Sequence, residues 1–428
     1  MDILILANAP GELTTWVYPL LGQVQQRLAE FPANLRISII LSPCSNASGQ
    51  EVAIATSLPG VSRVLPPDQF WQFLIWGKAP NWDWHGQGIV IFLGGDQIYT
   101  PIIAKRLGYR SLVYAEWVAR WPAWVDHFAL RHRQVKLPLA FQAKATVVGD
   151  LMADREAHPP TPDSQLKIAF LPGSKGMKLA QGVPLSLAIA DLLQNQVHQA
   201  SLELTIILAP SLTPQQLATY AQATNPVLTL VNGQTAELMG SDRAFYLQTP
   251  QGTRVKIYQE FPADQYLSQV QLCITTIGAN TAELGALGIP MIVLIPTNQI
   301  EAMRGWDGLL GLLVNLPGVG TLLAKLVNQW MNTRLGLLAW PNIWAGREIV
   351  PELRGKLTPQ MVADLAVELL NQPARLQQIR QQLKLACQPD LDNQELSDRS
   401  TDKSTARPTD KIIGLVLELL QANGTGQN

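Results

Sequence analysis

Charge is scarce in this 428-residue sequence: Asp, Glu, Lys and Arg together make 15%, against about 25% in typical soluble domains. No sign dominates, because 32 Lys and Arg oppose 33 Asp and Glu. A basic nucleic-acid binder and an acidic disordered chain are both excluded. Only three cysteines occur, Cys44, Cys273 and Cys387, far apart in the chain. They form no disulfide framework and no pair with metal-ligand spacing, and they fit a reducing compartment. The five histidines supply no zinc signature, and the five-residue spacing of His127 and His132 does not align them on one helical face. No metal is expected. Long clean apolar runs are missing too. Gly308 to Ala324 carries no charge but contains Pro317 and four glycines, and falls short of the roughly 20 residues that a spanning helix needs. The N-terminus has no basic region before its first apolar stretch, which reads as a buried strand and not a signal peptide.

What is present is a grammar of apolar strand, Gly/Pro loop and helix, used twice. Ile3 to Ala7, Ile37 to Leu41, Ile89 to Leu93 and Leu112 to Tyr114 read as strands. A helix carrying Val17, Leu21, Val24 and Leu28 at helical spacing follows the first. After a Pro-rich break at Pro159, Pro160 and Pro162 the pattern restarts with Ile168 to Leu171, Leu204 to Leu208, Leu272 to Thr275 and Met291 to Ile295. Strands alternating with helices predict an α/β fold of two Rossmann-like, doubly wound parallel-sheet domains. The expected limits are residues 1–158 and 166–387. A flexible linker is expected at 388–410 and a docking helix at 411–424, apolar over most of its circumference. That helix must return to the first domain or pair with another subunit.

Four segments could carry chemistry. Leu171-Pro172-Gly173-Ser174-Lys175-Gly176 lies between a strand and a helix. Glycines there let the backbone approach a ligand, and free N–H groups beside a cation favour phosphate. A tight turn that binds nothing has the same pattern, and the spacing is not that of a Walker A loop. The second segment, Thr276-Ile277-Gly278-Ala279-Asn280-Thr281-Ala282-Glu283, also joins a strand end to a helix start. It suits a diphosphate, with Glu283 on a ribose diol, and equally suits a helix cap. The third is Gly94-Gly95-Asp96. A carboxylate at the carboxyl end of a parallel strand faces the ligand crevice and can act as a general base, or it can simply cap a helix. The fourth, Trp340 to Glu352, offers Asn342 and Arg347 to a base or phosphate, or to ordinary turn contacts.

Together, in order and spacing, these segments resemble the lipid-A-disaccharide synthase family, inverting glycosyltransferases of the GT-B fold, whose two Rossmann-like domains face a cleft. The family loop LPGSRxxE is similar to Leu171 to Lys178, and its SGTAxLE segment to Ile277 to Glu283. Its LPNLLAGRE resembles Trp340 to Glu348, and its GHxxAD resembles Gly149 to Asp154. Departures are Pro10-Gly11-Glu12 for Ser-Gly-Asp, Lys175 for Arg, Lys178 for Glu and Asp150 for His. The resemblance implies transfer of a sugar from a UDP-sugar to a lipid-linked or amphiphilic acceptor, with no metal or other cofactor. It implies a diphosphate and nucleotide site made by Gly173, Ser174, Lys175, Gly278, Asn280, Thr281, Glu283, Asn342 and Arg347. The catalytic base would be Asp96, with Glu12 as the alternative. A UDP-sugar epimerase of the same fold, or a non-catalytic nucleotide- or lipid-binding protein, are the competing expectations. The apolar segment Gly305 to Trp344, with Trp306, Trp330 and Trp340 as anchors, would dip into a membrane interface, placing the protein in the cytoplasm against the inner face of a membrane. A buried helical hairpin or a homodimer contact is the alternative for that segment.

Overall fold

The computed structural model describes residues 1–44, 49–155, 165–197, 201–241, 244–296, 336–387 and 407–421. The Pro-rich break, residues 388–406 of the expected linker 388–410, residues 422–424 of the docking helix, and the expected membrane segment up to residue 335 lie outside the described residues. The chain divides into two compact units, Met1–Asp154 with Pro389–Asn428, and Arg155–Gln388. Each is a Rossmann-like α/β domain, as the alternating strands and helices predict.

In the first unit, seven strands run β1 (Asp2–Ala7), β2 (Arg36–Leu41), β3 (Val61–Leu65), β4 (Gly88–Phe92), β5 (Arg110–Ala115), β6 (His127–Leu130) and β7 (Ala145–Val147). They form one parallel sheet in the order β3-β2-β1-β4-β5-β6-β7. The near-continuous apolar strands reflect burial on both faces. Ile3 and Ile5 join one core layer, while Leu4 and Leu6 join the other. The order reverses between β1 and β4, so their carboxyl ends frame the ligand crevice of such a sheet.

The C-terminal helix, Pro408–Gln421, belongs to this unit and starts three residues earlier than expected, so residues 408–410 are helix and not linker. Ile412, Ile413 and Val416 are completely buried in the same layer as Ile3 and Ile5. Glu418 and Gln421 remain exposed, which is why only one stripe of the helix is polar. Its first turn is held by Asp154, whose Oδ2 accepts from the Thr409 N–H at 2.7 Å.

In the second unit the strands are β8 (Leu166–Leu171), β9 (Leu202–Ile207), β10 (Glu237–Met239), β11 (Tyr246–Gln248), β12 (Arg254–Tyr258), β13 (Leu272–Thr276), β14 (Met291–Pro296) and β15 (Glu352–Gly355). Their order is β10-β11-β12-β9-β8-β13-β14-β15. The edge β10-β11-β12 is antiparallel, unlike the rest. These strands are short, and β11 and β12 are joined by a tight turn in which Gly252 has φ +89°. The order again reverses beside the first strand, here between β8 and β13. The helix Gly176–Gln196 follows β8 and contains Pro184. Proline has no N–H for the carbonyl one turn earlier, and Asn225 Nδ2 supplies that bond to Ala180 O at 2.8 Å. No helix among the described residues is long and apolar enough to cross a membrane.

Candidate functional site

Two switch points collect the polar residues. In the second unit, the loops after β8 and β13 each contain a glycine in left-handed backbone: Gly173 has φ +105° and Gly278 has φ +147°. Between them lies Lys178, in the first turn of Gly176–Gln196. Its Cβ is 3.0 Å from where a side chain on Gly173 would begin. Its Nζ donates to Ile277 O at 2.6 Å and is 3.5 Å from the equivalent point on Gly278. The lysine thus crosses from one glycine loop to the other at the amino ends of two helices. Burial, with a smaller contribution from the Lys175 charge, lowers its pKa to about 8. Among the described residues no carboxylate pairs with it. A cation beside two positive helix ends is unfavourable until an anion arrives.

A small cavity opens beneath these loops, lined by Leu171, Pro172, Gln181, Thr275, Thr276 and Pro296 among others. Thr276 Oγ1 and Gln181 Oε1 are buried there with no hydrogen-bond partner among the described residues. Thr276 Oγ1 also lies 3.5 Å from the side-chain position of Gly173.

The other predicted residues divide. Ser174 and Lys175 are exposed on the Gly173 loop. Asn280 reaches Thr275 Oγ1 at 3.5 Å. Glu283 is held by Arg155, whose Nη2 donates to Oε1 at 2.8 Å, while the same guanidinium faces Asp264 at 3.4 Å. Arg347 is exposed and contacts Gln382 at 3.4 Å. Two residues expected on a ligand are instead framework. Thr281 is fully buried, donates to Gly278 O at 2.9 Å and accepts from Trp340 N at 3.1 Å. Asn342 is also fully buried. It donates to Val350 O and Glu352 Oε1, both at 2.9 Å, and accepts from the N–H groups of Ile349 at 2.7 Å and Val350 at 3.0 Å. No bonding capacity is left for a base. Asn342→Ala should therefore cost about 3 kcal/mol in urea unfolding, since it strands four buried hydrogen-bond partners.

In the first unit, a helix starts at Pro10 directly after β1 and widens into a π-helical turn over Leu13–Val17, a distortion common at functional sites. Glu12 precedes that turn. Its Oε2 accepts from the Asn8 N–H at 2.9 Å and lies 1.7 Å from where a side chain on Gly94 would begin. Only glycine at 94 admits the carboxylate to this position, so the β1 and β4 loops are matched. Burial raises the Glu12 pKa to about 7 against the opposing N–H bonds, with the Glu116 charge adding to the rise. Glu116 follows β5 and is likewise raised to about 7 by burial, against the attraction of Arg131. Arg131, after β6, is 2.6 Å from Asp150 and 3.6 Å from Glu116. Burial outweighs that pairing and raises Asp150 too. One guanidinium thus serves two carboxylates, Glu116 and Asp150, and Glu12 and Glu116, both near 7, hold part of their protons at neutrality. Asn8 Oδ1 and Ser42 Oγ, at the ends of β1 and β2, are buried without partners among the described residues. Asp96, by contrast, is exposed, and its Oδ1 accepts from the Ile98 N–H at 3.1 Å. That is the local turn that starts a helix.

Lys178, Glu116 and Arg131 are absent from the predicted site. The sequence signal for Lys178 was its place three residues into the Gly-rich loop's helix. Glu116 and Arg131 carry a weaker signal, as charged residues directly following β5 and β6. Among the described residues no group of His, Cys, Asp and Glu could hold a metal ion.

No protein-family model and no curated protein matches the chain. Solved structures do. One is the UDP-GlcNAc 2-epimerase from Neisseria meningitidis bound to UDP-GlcNAc, with 11% identity, 98% of this chain and 100% of that chain covered, and a TM-score of 0.45. A second is the E. coli heptosyltransferase WaaC with ADP, with 11% identity, 88% and 99% covered, and a TM-score of 0.38. A third is the UDP-GlcNAc 2-epimerase from Methanocaldococcus jannaschii, with 13% identity, 68% and 83% covered, and a TM-score of 0.36.

Proposed function

We propose that this protein is a glycosyltransferase of the GT-B type that moves a sugar from a UDP-sugar to a lipid-linked or amphiphilic acceptor at a membrane surface. The observation that carries the reading is Lys178, a half-buried cation that no carboxylate pairs among the described residues, set between two left-handed glycine loops at two helix amino ends. A diphosphate supplies the missing negative charge and can accept from the helix N–H groups. The resemblance of Leu171 to Lys178 and of Ile277 to Glu283 to the lipid-A-disaccharide synthase motifs supports the nucleotide as a uridine diphosphate.

The second unit binds the donor and the first activates the acceptor. Glu12, ionised, takes the proton from an acceptor hydroxyl. That oxygen bonds to the anomeric carbon while the bond from this carbon to the diphosphate oxygen breaks, with inversion. The diphosphate leaves with the electron pair, and Lys178 and the helix N–H groups stabilise the charge it gains. Glu283, oriented by Arg155, is the partner for the ribose diol.

Calorimetry with UDP, followed by incubation of UDP-sugars with and without a polyprenyl or acylated-sugar acceptor, tests this. The expected result is UDP binding, with UDP release that depends on the acceptor. Absence of UDP binding overturns the reading, and an epimerised UDP-sugar formed without acceptor replaces it with an isomerase.

A further inference from the structure

The first unit displays tryptophans that its core does not use. Trp121 is 45% exposed and Trp124 is 61% exposed, and their rings stack at 5.6 Å. Trp121 sits at φ +60°, a backbone region that bulky side chains avoid. This strain presents an indole to solvent and is not offset by burial of the ring. The segment is fixed from behind. Lys144 Nζ donates to Pro122 O at 3.3 Å and Val125 O at 3.0 Å. The stretch 117–119 exchanges backbone bonds with Lys136, from Ala119 N to Lys136 O at 3.0 Å and from Lys136 N to Trp117 O at 3.1 Å. Leu139, three residues beyond, is 82% exposed. Gln97 ties the loop after β4 to this stretch, donating to Val118 O at 2.9 Å and accepting from Arg120 N at 2.8 Å. Next comes Tyr99, whose ring meets Trp71 at 6.0 Å. Trp71 is itself half exposed.

Charge on this surface has one dominant sign. Arg120, Arg133 and Lys136 are exposed. Asp126 is occupied by Ser111 and Arg110, and Glu116 by Arg131. Asp96 and, three residues before Trp71, Asp68 are exposed carboxylates at its border. We propose that this tryptophan surface docks the protein on an anionic lipid bilayer. Indole rings prefer the headgroup level of a membrane, and basic residues around them add attraction to anionic lipid. The inference rests on the proposed reading only in supplying its lipid acceptor; binding to vesicles requires neither nucleotide nor turnover.

Sedimentation with vesicles of phosphatidylcholine alone, and of phosphatidylcholine with one-quarter phosphatidylglycerol, tests it on the full chain, with UDP titration alongside. Wild type should bind the anionic vesicles at least about 20-fold more tightly, since each basic residue near the surface contributes about fivefold. Trp121→Ser with Trp124→Ser and Leu139→Ser should weaken binding to both vesicles by about 30-fold or more. Arg120→Glu with Lys136→Glu should abolish the preference for anionic lipid. Unchanged vesicle binding in the tryptophan variant, or no vesicle binding by wild type, overturns the proposal. So does loss of self-association, and not of vesicle binding, in that variant, which would assign the surface to a second copy. Vesicle binding without UDP binding leaves this inference standing and removes the donor reading.

Discussion

Lys178→Met should weaken UDP binding by about 100-fold, the scale expected when a half-buried charge-assisted contact to phosphate is lost. Lys175→Met, an exposed change on the neighbouring loop, should cost tenfold or less. The pH dependence gives a second signature. Lys178 titrates at about 8 without ligand, whereas the last phosphate ionisation lies near 6. Above pH 7 the ligand charge is constant, so wild-type affinity should fall as pH rises through 8 and the lysine loses its proton. Lys178→Arg cannot deprotonate there and should hold its affinity from pH 7 to 9. The stability effect runs the other way. Because the folded pKa lies below the ordinary lysine value, the folded state binds fewer protons than the unfolded chain between about 8 and 10.5. Stability therefore increases with pH across that window and is lower at pH 7. Ligand-free Lys178→Met should accordingly melt higher than wild type at pH 7. A lysine serving only the fold would show destabilisation instead. Calorimetry and thermal melts of the same variant separate the two, and wild-type UDP affinity in Lys178→Met sinks the assignment.

The glycine loops were legible in the sequence because a strand, a glycine and a helix in succession leave few geometries open. The C-terminal helix was legible as a docking element because so few of its residues are polar, although its seat beside Ile3 and Ile5 was not. Lys178 was hidden for a different reason. A lysine in the first turn of a helix reads as a solvated residue until the second loop is folded beside it. Thr281 and Asn342 erred in the opposite direction. A polar residue near a motif has the same letters whether it faces a ligand or saturates buried backbone, and only the hydrogen-bond partners decide. Glu116, Arg131 and Asp150 lie over one hundred residues from Glu12 along the chain, yet parallel strands deliver all of them to one sheet edge. The same topology separates Glu12 from Asp96 in character. Both follow strands at the switch point, but Gly94 leaves room for Glu12 to enter, whereas Asp96 turns back on its own helix start.

That contrast predicts which carboxylate is the base. Glu12→Gln keeps the side-chain shape and can still accept from the Asn8 N–H, but it cannot take a proton. Turnover at saturating donor should fall about 10³-fold, within the usual contribution of general base catalysis. Asp96→Asn should remain within threefold of wild type. A base must be ionised, so wild-type kcat should rise with pH and level off above the Glu12 pKa of about 7. Glu116→Gln removes the neighbouring charge that helps hold that pKa up and should move the inflection to lower pH. The same proton affects stability. With its folded pKa above the ordinary carboxylate value of 4.5, Glu12 binds more proton in the folded than in the unfolded state between about 4.5 and 7. Stability is then lost as pH rises through that window. Glu12→Gln should thus be more stable than wild type at pH 8, by about 1–3 kcal/mol, while losing its activity. A residue that is costly to fold around and indispensable to turnover is one retained for chemistry. Full turnover in Glu12→Gln together with an inactive Asp96→Asn would transfer the role of base to Asp96.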